Sequence, residues 1–252
     1  MRAPADRAPP PREPGSIIAP TIAVIVGVAI LCGLGVWQVQ RKAWKEDLIA
    51  TLNARLAEAP VDLPPRTAWS SLKAKGHEWH RVHFLAELIP GQEALVYTAG
   101  SAFRPDVKGP GYWVFAPARL AGGSVVIIDR GFVPMDHKAA ASHSAPKTMT
   151  DIIGVMRWPE KSGSFTPGAD VKDNVWYARD IKAIAAAKQW PDHAPFYIEQ
   201  ESPVPPGGWP KPGKLVVNLP DNHLQYALTW FGMALGLAGL YVFWLVRRRR
   251  RQ

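Results

Sequence analysis

The chain has 252 residues, of which 47% are hydrophobic and 20% are charged. This balance excludes a disordered protein and predicts one or two folded domains. The formal net charge is +9, but five of these charges form the run Arg247–Arg251 against an apolar segment. Such a run indicates membrane topology or contact with anionic lipids, and it argues against nucleic-acid binding.

Residues 1–16 are rich in proline, alanine and arginine, which predicts a disordered cytoplasmic tail. Residues 17–36 carry no charge over a length that crosses the core of a bilayer, so they predict the first transmembrane helix. A cleaved signal peptide is the alternative. An uncleaved anchor is favoured, because the apolar run is longer than a typical signal core and no A-x-A cleavage site follows it.

Residues 37–59 predict an amphipathic helix that extends the first span outward. The apolar residues Trp44, Leu48, Leu52 and Leu56 recur four apart, and Pro60 stops the pattern. Trp37 and Arg41, just past the uncharged run, are typical of the membrane interface.

Residues 60–222 predict a β-rich domain outside the membrane, because β-branched and aromatic runs alternate with turn signals. The predicted strands are Arg81–Glu87, Ala94–Thr98, Tyr112–Phe115, Ser124–Asp129, Ile152–Arg157, Val175–Ala178, Phe196–Glu199 and Lys214–Asn218. An alanine-rich helix over Asp180–Lys188 has Asp180 as its N-cap. The predicted fold class is therefore a membrane protein with two transmembrane helices flanking an α+β, mainly antiparallel β, extramembrane domain.

Residues 223–246 predict the second transmembrane helix, and residues 247–252 a cytoplasmic basic tail. Two spans with an inside C-terminus place the N-terminus inside as well. The central domain is then periplasmic, or in the intermembrane space of a mitochondrion. Small residues four apart, Ala29 with Gly33 and Gly232 with Gly236, indicate close helix packing, either between the two spans or against a partner.

Few residues indicate chemistry. His77, His80 and His83 form the richest histidine cluster, but their spacing is not that of a zinc protease and no partner has ligand spacing. No nucleophile elbow, P-loop or dinucleotide-binding motif is present. The single cysteine, Cys32, and the low methionine count argue against a copper chaperone.

His223 is the strongest candidate, because it lies at the outer end of the second span, where ionisable residues are costly and often functional. A neutral imidazole at this point is a suitable ligand for a haem iron. The alternative is a helix-capping or interfacial histidine that bonds to headgroups or to the protein. The residues alone leave both interpretations open.

Short motifs, taken in their order along the chain, then resemble the surfeit-locus-one family of cytochrome c oxidase assembly proteins. The resemblance covers most of the chain after residue 30. The matching segments are Leu34-Gly35-Val36-Trp37-Gln38, Pro90-Gly91-Gln92-Glu93, Gly111-Tyr112-Trp113-Val114, Asp129-Arg130-Gly131-Phe132-Val133-Pro134, Asn174-Val175-Trp176-Tyr177-Ala178-Arg179-Asp180 and Asn222-His223-Leu224-Gln225-Tyr226-Ala227-Leu228-Thr229-Trp230. One departure is Asp129, where the family usually has asparagine.

The resemblance implies a non-enzymatic assembly factor in the cell inner membrane, or in the mitochondrial inner membrane of a eukaryote. It implies that the chain binds haem a with His223 as the iron ligand and serves the catalytic subunit of cytochrome c oxidase. A haem a synthesis enzyme is a further candidate partner, beside the membrane lipids. In the mechanism expected here, the ring lies between the two helices, Arg41 or Lys42 pairs with its propionates, and Trp37 and Trp230 supply aromatic walls.

Two rival functions stay open. The first is a scaffold that stabilises an oxidase assembly intermediate without touching haem. The second is a membrane-anchored periplasmic enzyme, which needs a nucleophile, a base and an oxyanion site that converge in one cleft.

Overall fold

The computed structural model describes residues 16–141, 148–217 and 219–250. The predicted disordered tail lies outside these residues, except for Ser16. The chain forms two compact units: a helical unit of Met1–Glu46 with Pro220–Gln252, and a domain of Asp47–Leu219. Each unit is described by itself.

The described elements follow the order helix, β-rich domain, helix. The helices are α1 (Ile18–Ala57), α2 (Ala74–His77), α3 (Ile181–Lys188) and α4 (His223–Arg249). The strands are β1 (Val61–Asp62), β2 (Arg81–Leu88), β3 (Ala94–Thr98), β4 (Gly111–Leu120), β5 (Val125–Pro134), β6 (Thr150–Arg157), β7 (Val175–Trp176) and β8 (His193–Ser202). Two 3₁₀ segments span Arg66–Ser71 and Met135–Ala141.

Most predicted elements of the domain are confirmed. Seven of the predicted strands overlap β2–β8, although β7 ends at Trp176, two residues before the predicted end. Helix α3 begins after Asp180, whose side chain accepts a hydrogen bond from the backbone N–H of Ala183 at 3.1 Å, as expected of an N-cap.

The strand predicted at Lys214–Asn218 is wrong over residues 214–217, and Asn218 lies outside the described residues. Leu215 is buried beside Leu52, Trp79 and Val155. The alternating apolar pattern therefore reflects packing of an irregular segment against the outward end of α1, not pairing in the sheet.

Five strands close into a barrel. Strand β2 pairs with β4, β4 with β5, β5 with β8, β8 with β6, and β6 with β2. If the five barrel strands are numbered by their order in the chain, their order around the ring is 1-2-3-5-4. The third and fifth of them, β5 and β8, form the parallel pair. This is the connectivity of the oligonucleotide/oligosaccharide-binding (OB) barrel.

The prediction of a mainly antiparallel sheet holds for most strand pairings, but the sheet is mixed rather than purely antiparallel. Among the described residues, five strand pairings are antiparallel, and three are parallel: β1 with β2, β3 with β7, and β5 with β8. The parallel partners β5 and β8 are separated by β6, β7 and α3, so no local turn signal indicates their pairing.

Side chains alternate between the inside and the outside of the barrel. Val82, Ala116, Ile128, Met156 and Phe196, each from a different barrel strand, belong to one apolar core inside it. A second core lies on the outer face of β4, β5 and β8, where α3 and the strands β3 and β7 cover it.

The helical unit is an antiparallel hairpin of α1 and α4. A side chain on Gly27 would reach Leu237, and one on Gly35 would reach the ring of Phe231. Thr21 is hydrogen-bonded to Tyr241 near the opposite end of the hairpin. The described residues thus contain two helices that are long and apolar enough to cross a membrane.

The small residues in this interface are not the predicted ones. Ala227 and Ala234 are buried, whereas Gly33, Gly232 and Gly236 have open space where a side chain would be. The two helices therefore pack against each other, which is one of the two arrangements expected from the sequence. The small residues at the contact are Gly27 and Gly35 on α1 and the two alanines on α4.

Candidate functional site

His223 is the first residue of α4, and its position is fixed by two hydrogen bonds. Its backbone N–H donates to Oδ1 of Asp221 at 2.9 Å. Its ring Nδ1 donates to the side-chain oxygen Oε1 of Gln38 on α1, at 2.8 Å. The imidazole is therefore held across the hairpin by a partner on the other helix.

The bond to Gln38 determines which ring nitrogen is free. An amide oxygen only accepts, so Nδ1 carries a proton, and in a neutral imidazole Nε2 is then the nitrogen with the lone pair. No described residue forms a hydrogen bond with Nε2. A histidine that donates through one nitrogen to an oriented acceptor and exposes the other is the usual arrangement of a metal-ligating imidazole.

Trp230 lies two turns further along α4, on the face that carries His223. Its indole Nε1 is buried and has no hydrogen-bond partner among the described residues. An unpaired N–H costs free energy in any apolar setting, and most of all within a bilayer. Trp230 is therefore a donor that a ligand with an oxygen acceptor would satisfy.

Trp37, Arg41 and Trp44 follow one another at helical spacing on α1, next to Gln38. Trp37 is 51% exposed, and the guanidinium of Arg41 lies 4.3 Å from the ring centre of Trp44. No described carboxylate pairs with Arg41. The neighbouring Lys42 is bonded to Glu46, so Arg41 is the better candidate of the two for an anionic group.

The space between the two helices, where the haem ring was expected to lie, is filled by Phe231 beside Gly35. The ring of Phe231 lies against the backbone of Gly35 so closely that a Cβ there would be 2.6 Å from it. A large ligand coordinated by His223 therefore lies on the outer face of the hairpin, where Trp37 and Arg41 are exposed, unless the helices separate.

Gln38 is the site residue that the sequence analysis missed as a participant. It appeared only inside the family-like run Leu34–Gln38. The available signal was an uncharged amide one residue after an interfacial tryptophan, at the end of an apolar span.

The histidine cluster of the domain does not converge. His77 Nδ1 lies 3.2 Å from the carbonyl oxygen of Lys73, His80 lies 3.3 Å from Glu58, and His83 lies 3.2 Å from Asp62. Within the described part of the chain, no group of three His, Cys, Asp or Glu side chains is arranged to hold a metal ion.

The run Asp129–Pro134, one of the family-like segments, contains two residues with structural roles. Gly131 has φ of +117°, and it lies so close to the backbone of Lys211 that a Cβ would be 2.2 Å from the carbonyl oxygen of that residue. Arg130 is buried, 3.8 Å from Glu93, and donates to the carbonyl oxygen of Ala141 at 3.3 Å.

Asp129 belongs to a buried cluster of charges on the outer face of the barrel. Arg157 and Arg179 both donate to Glu199, at 2.9 and 3.3 Å, and Arg179 lies 3.8 Å from Asp129. Oδ1 of Asp129 accepts from the N–H of Gly131, while its Oδ2 has no hydrogen bond among the described residues. Burial raises the pKa of the Asp129 carboxyl to about 7.

The sequence of the chain is similar to that of known proteins. The SURF1 family profile matches residues 25–235. A SURF1-like protein of Monosiga brevicollis is 32% identical over 225 residues, covering 84% of this chain and 82% of that protein. Surfeit locus protein 1 of Mus musculus is 30% identical over 226 residues, covering 86% and 72%. A SURF1-like protein of Rickettsia felis is 27% identical over 237 residues, covering 88% and 95%.

The fold and the site define a class of protein in which a closed β-barrel is joined to a hairpin of two apolar helices that carries a polar pair at one end. The family match covers both parts. The chain belongs to the SURF1 family, and the resemblance that its motifs indicated is confirmed.

Proposed function

We propose that this protein is an assembly factor for haem-a-containing cytochrome c oxidase, and that it binds haem a through His223 and assists its transfer to the catalytic subunit. The observation that carries the proposal is the bond from Nδ1 of His223 to Gln38. It orients Nε2, the ligating atom of a neutral imidazole, at the end of an apolar hairpin.

The residues around His223 fit this cofactor. Haem a supplies an iron for the imidazole and oxygen atoms on its formyl and propionate groups. Arg41 is a cation for a propionate, and the buried, unpaired N–H of Trp230 is a donor for such an oxygen where the helices separate. Trp37 gives an exposed aromatic surface. A single protein ligand also suits a carrier that must release its cargo.

The proposal places the protein in the cell inner membrane, with both termini in the cytoplasm and the barrel in the periplasm. The two apolar helices and the run Arg247–Arg251 support this orientation. Reporter fusions after Ala59 and after Pro206 are expected to give an external signal, and one after Gln252 an internal signal. A cytoplasmic signal from either middle fusion contradicts the orientation.

The proposal assigns no catalysis to the protein, and its test is the haem content of the full-length chain. Protein purified in detergent from cells that make haem a is expected to show the absorption spectrum of bound haem a. His223→Ala is expected to accumulate normally and to lose most of the bound haem.

Two further variants sharpen this test. Gln38→Leu keeps the ligand but removes its orienting partner, so haem affinity is expected to fall about 10–100-fold. The triple variant His77→Ala, His80→Ala, His83→Ala is the control, and its haem content is expected to match that of the wild type. If the wild type carries no haem a but still purifies with oxidase subunits, the haem-independent scaffold is the better account.

A further inference from the structure

A cleft of about 240 Å³ opens on the outside of the barrel domain. One wall is the end of β3 and the following loop, from Val96 to Phe103. The other wall is the segment Tyr177–Arg179, which follows β7. Trp113, Arg157 and Glu160 complete the lining.

The cleft forms where two segments inserted between barrel strands separate. One segment contains β3 and the other contains β7. Strands β3 and β7 pair in parallel at Leu95 with Val175 and at Val96 with Trp176. Strand β7 ends there, while β3 continues to Thr98. The two segments therefore diverge beyond Trp176, and the space between them is the cleft.

The position of the cleft is informative in a barrel with OB connectivity. Barrels of this kind bind ligands on the face of their second and third strands, between the loops that follow the first and fourth strands. In this domain those strands are β4 and β5, and α3 covers much of their outer face. The cleft is an open part of that face, and both of those loops line it.

Arg157 and Arg179 line the cleft, and each is held in place by hydrogen bonds. Arg157 donates through Nε to Glu78 and through Nη1 to Glu199, and its Nη2 has no hydrogen bond among the described residues. Arg179 donates through Nη1 to Tyr197 and Glu199. Its Nε and Nη2 have no hydrogen bond within the described part of the chain, although Nη2 lies 3.8 Å from Oδ2 of Asp129. The guanidinium of Arg157 lies 3.9 Å from the ring centre of Trp79, and that of Arg179 lies 4.8 Å from the ring centre of Trp113.

The charges around these donors are already balanced. Glu199 and Glu78 contact the two arginines, and Glu160 lies at the edge of the cleft. A free anion therefore gains little there, whereas neutral carbonyl oxygens are well matched to the unused N–H groups.

The rim of the cleft is aromatic. Tyr97 is 36% exposed and Tyr177 is 38% exposed, and their ring centres are 5.8 Å apart. Tyrosine and arginine together are enriched at the centres of protein interfaces, where they contact aromatic or proline side chains and backbone carbonyls.

We propose that this cleft is the docking site for an extended, uncharged polypeptide segment of the oxidase subunit that the protein serves. Backbone carbonyls of the segment accept hydrogen bonds from Arg157 and Arg179, and an aromatic or proline side chain packs on Tyr97 and Tyr177. This inference rests on the proposed function for the identity of the partner.

The experiment places a photo-crosslinker in the full-length chain inside cells that make the oxidase. p-Benzoylphenylalanine replaces Tyr177 or Ala102 at the cleft, or Leu85 on β2 as an exposed control. Adducts from the two cleft positions are expected to contain the catalytic subunit, joined at an uncharged segment, with little adduct from Leu85. An adduct to a glycan or another non-protein molecule contradicts the proposal.

A cleft-filling substitution supplies the second measurement. Ala178→Trp is expected to reduce the catalytic subunit recovered with the protein at least tenfold, while the melting temperature and haem a content stay near wild type. Leu85→Trp is the matched control and is expected to leave recovery unchanged.

The outcomes separate the two proposals. Undiminished recovery with a folded Ala178→Trp variant overturns the docking site and leaves the proposed function intact. Failure of the folded wild type to recover or crosslink the catalytic subunit from any position removes both.

Discussion

The hairpin and the barrel differ in the surroundings of their buried polar groups. The barrel buries Arg157, Arg179 and Glu199 as a cluster whose members bond to one another, and the unpaired Oδ2 of Asp129 lies 3.8 Å from Arg179. The hairpin buries the indole N–H of Trp230 without a partner among the described residues and leaves Nε2 of His223 free. A group that is satisfied within the fold contributes to structure, whereas an unsatisfied group in an apolar setting is a reason to expect a ligand.

The two regions also use glycine differently. Gly131 in the barrel faces backbone atoms of Lys211 and Pro212, which cannot move independently. Gly35 in the hairpin faces the ring of Phe231, which is the end of a side chain that can rotate. The barrel is thus the less tolerant unit, and the following expected results test that difference from the largest effect to the smallest.

Gly131→Ala is expected to have the largest effect. The added Cβ meets the carbonyl oxygen of Lys211 at 2.2 Å, and φ of +117° is itself strained for alanine. The loss of stability is expected to exceed about 3 kcal/mol, seen as low accumulation and rapid proteolysis of the barrel domain. Gly123→Ala is the control, because its positive φ lies in open space, and its cost is expected near 1 kcal/mol. Equal effects at the two glycines contradict the close approach at Gly131.

Gly35→Leu is expected to have an intermediate effect confined to the hairpin. The new side chain displaces Phe231 and loosens the packing of α1 on α4, at about 1–3 kcal/mol. Bound haem a is expected to fall because the hydrogen bond from His223 to Gln38 spans the same interface. Protease resistance of the barrel domain is expected to stay at the wild-type level. Gly33→Leu, which points into open space, is the matched control.

Asp129→Asn tests the buried charge cluster through pH. The folded pKa of Asp129 is about 7, whereas an unfolded chain holds an aspartate near about 4. At a pH between these two pKa values, the carboxyl of Asp129 keeps its proton in the folded state and has lost it in the unfolded state. The stabilising contribution of this group is therefore complete below about pH 4 and is lost as the pH rises towards 7.

Asparagine at position 129 cannot ionise, so it removes this dependence. Asp129→Asn is expected to raise stability at pH 8 by on the order of 2 kcal/mol and to change it little at pH 4.5. Thermal denaturation of the full chain at the two pH values measures the difference. A loss of stability at pH 8 would mean that the attraction between Asp129 and Arg179 exceeds the cost of burying the charge.

The smallest effects are expected for the exposed histidines of the domain. His77→Ala, His80→Ala and His83→Ala each remove one partly exposed contact, and each is expected to change stability by less than about 1 kcal/mol. Thermal denaturation with and without added zinc measures this effect. A melting temperature that rises with zinc in the wild type and not in the variants contradicts the divergent geometry of the three rings.

The sequence predicts best what depends on neighbouring residues. Uncharged runs and β-branched runs indicate the two long helices and strands such as Ala94–Thr98, which the structure reproduces. The Lys214–Asn218 prediction was wrong because an alternating pattern also arises where an irregular segment packs beside a helix.

Features that join distant parts of the chain were not predictable in this way. The parallel pairing of β5 with β8 closes the barrel over two intervening strands and a helix. The cluster of Asp129, Arg157, Arg179 and Glu199 combines three strands and a loop. His223 was found from its place at the end of an uncharged run. Its partner Gln38 lies on the other helix, and the local sequence around Gln38 does not indicate that the two side chains meet.

The central claim is that Nε2 of His223 coordinates haem a, and resonance Raman spectroscopy of the ferrous complex tests it most directly. The wild-type protein is expected to show an iron–imidazole stretching band. His223→Gly is expected to lose this band and to regain it when free imidazole fills the space left by the side chain. An iron–imidazole band that persists in His223→Gly without added imidazole would contradict the claim, because another residue would then be the ligand.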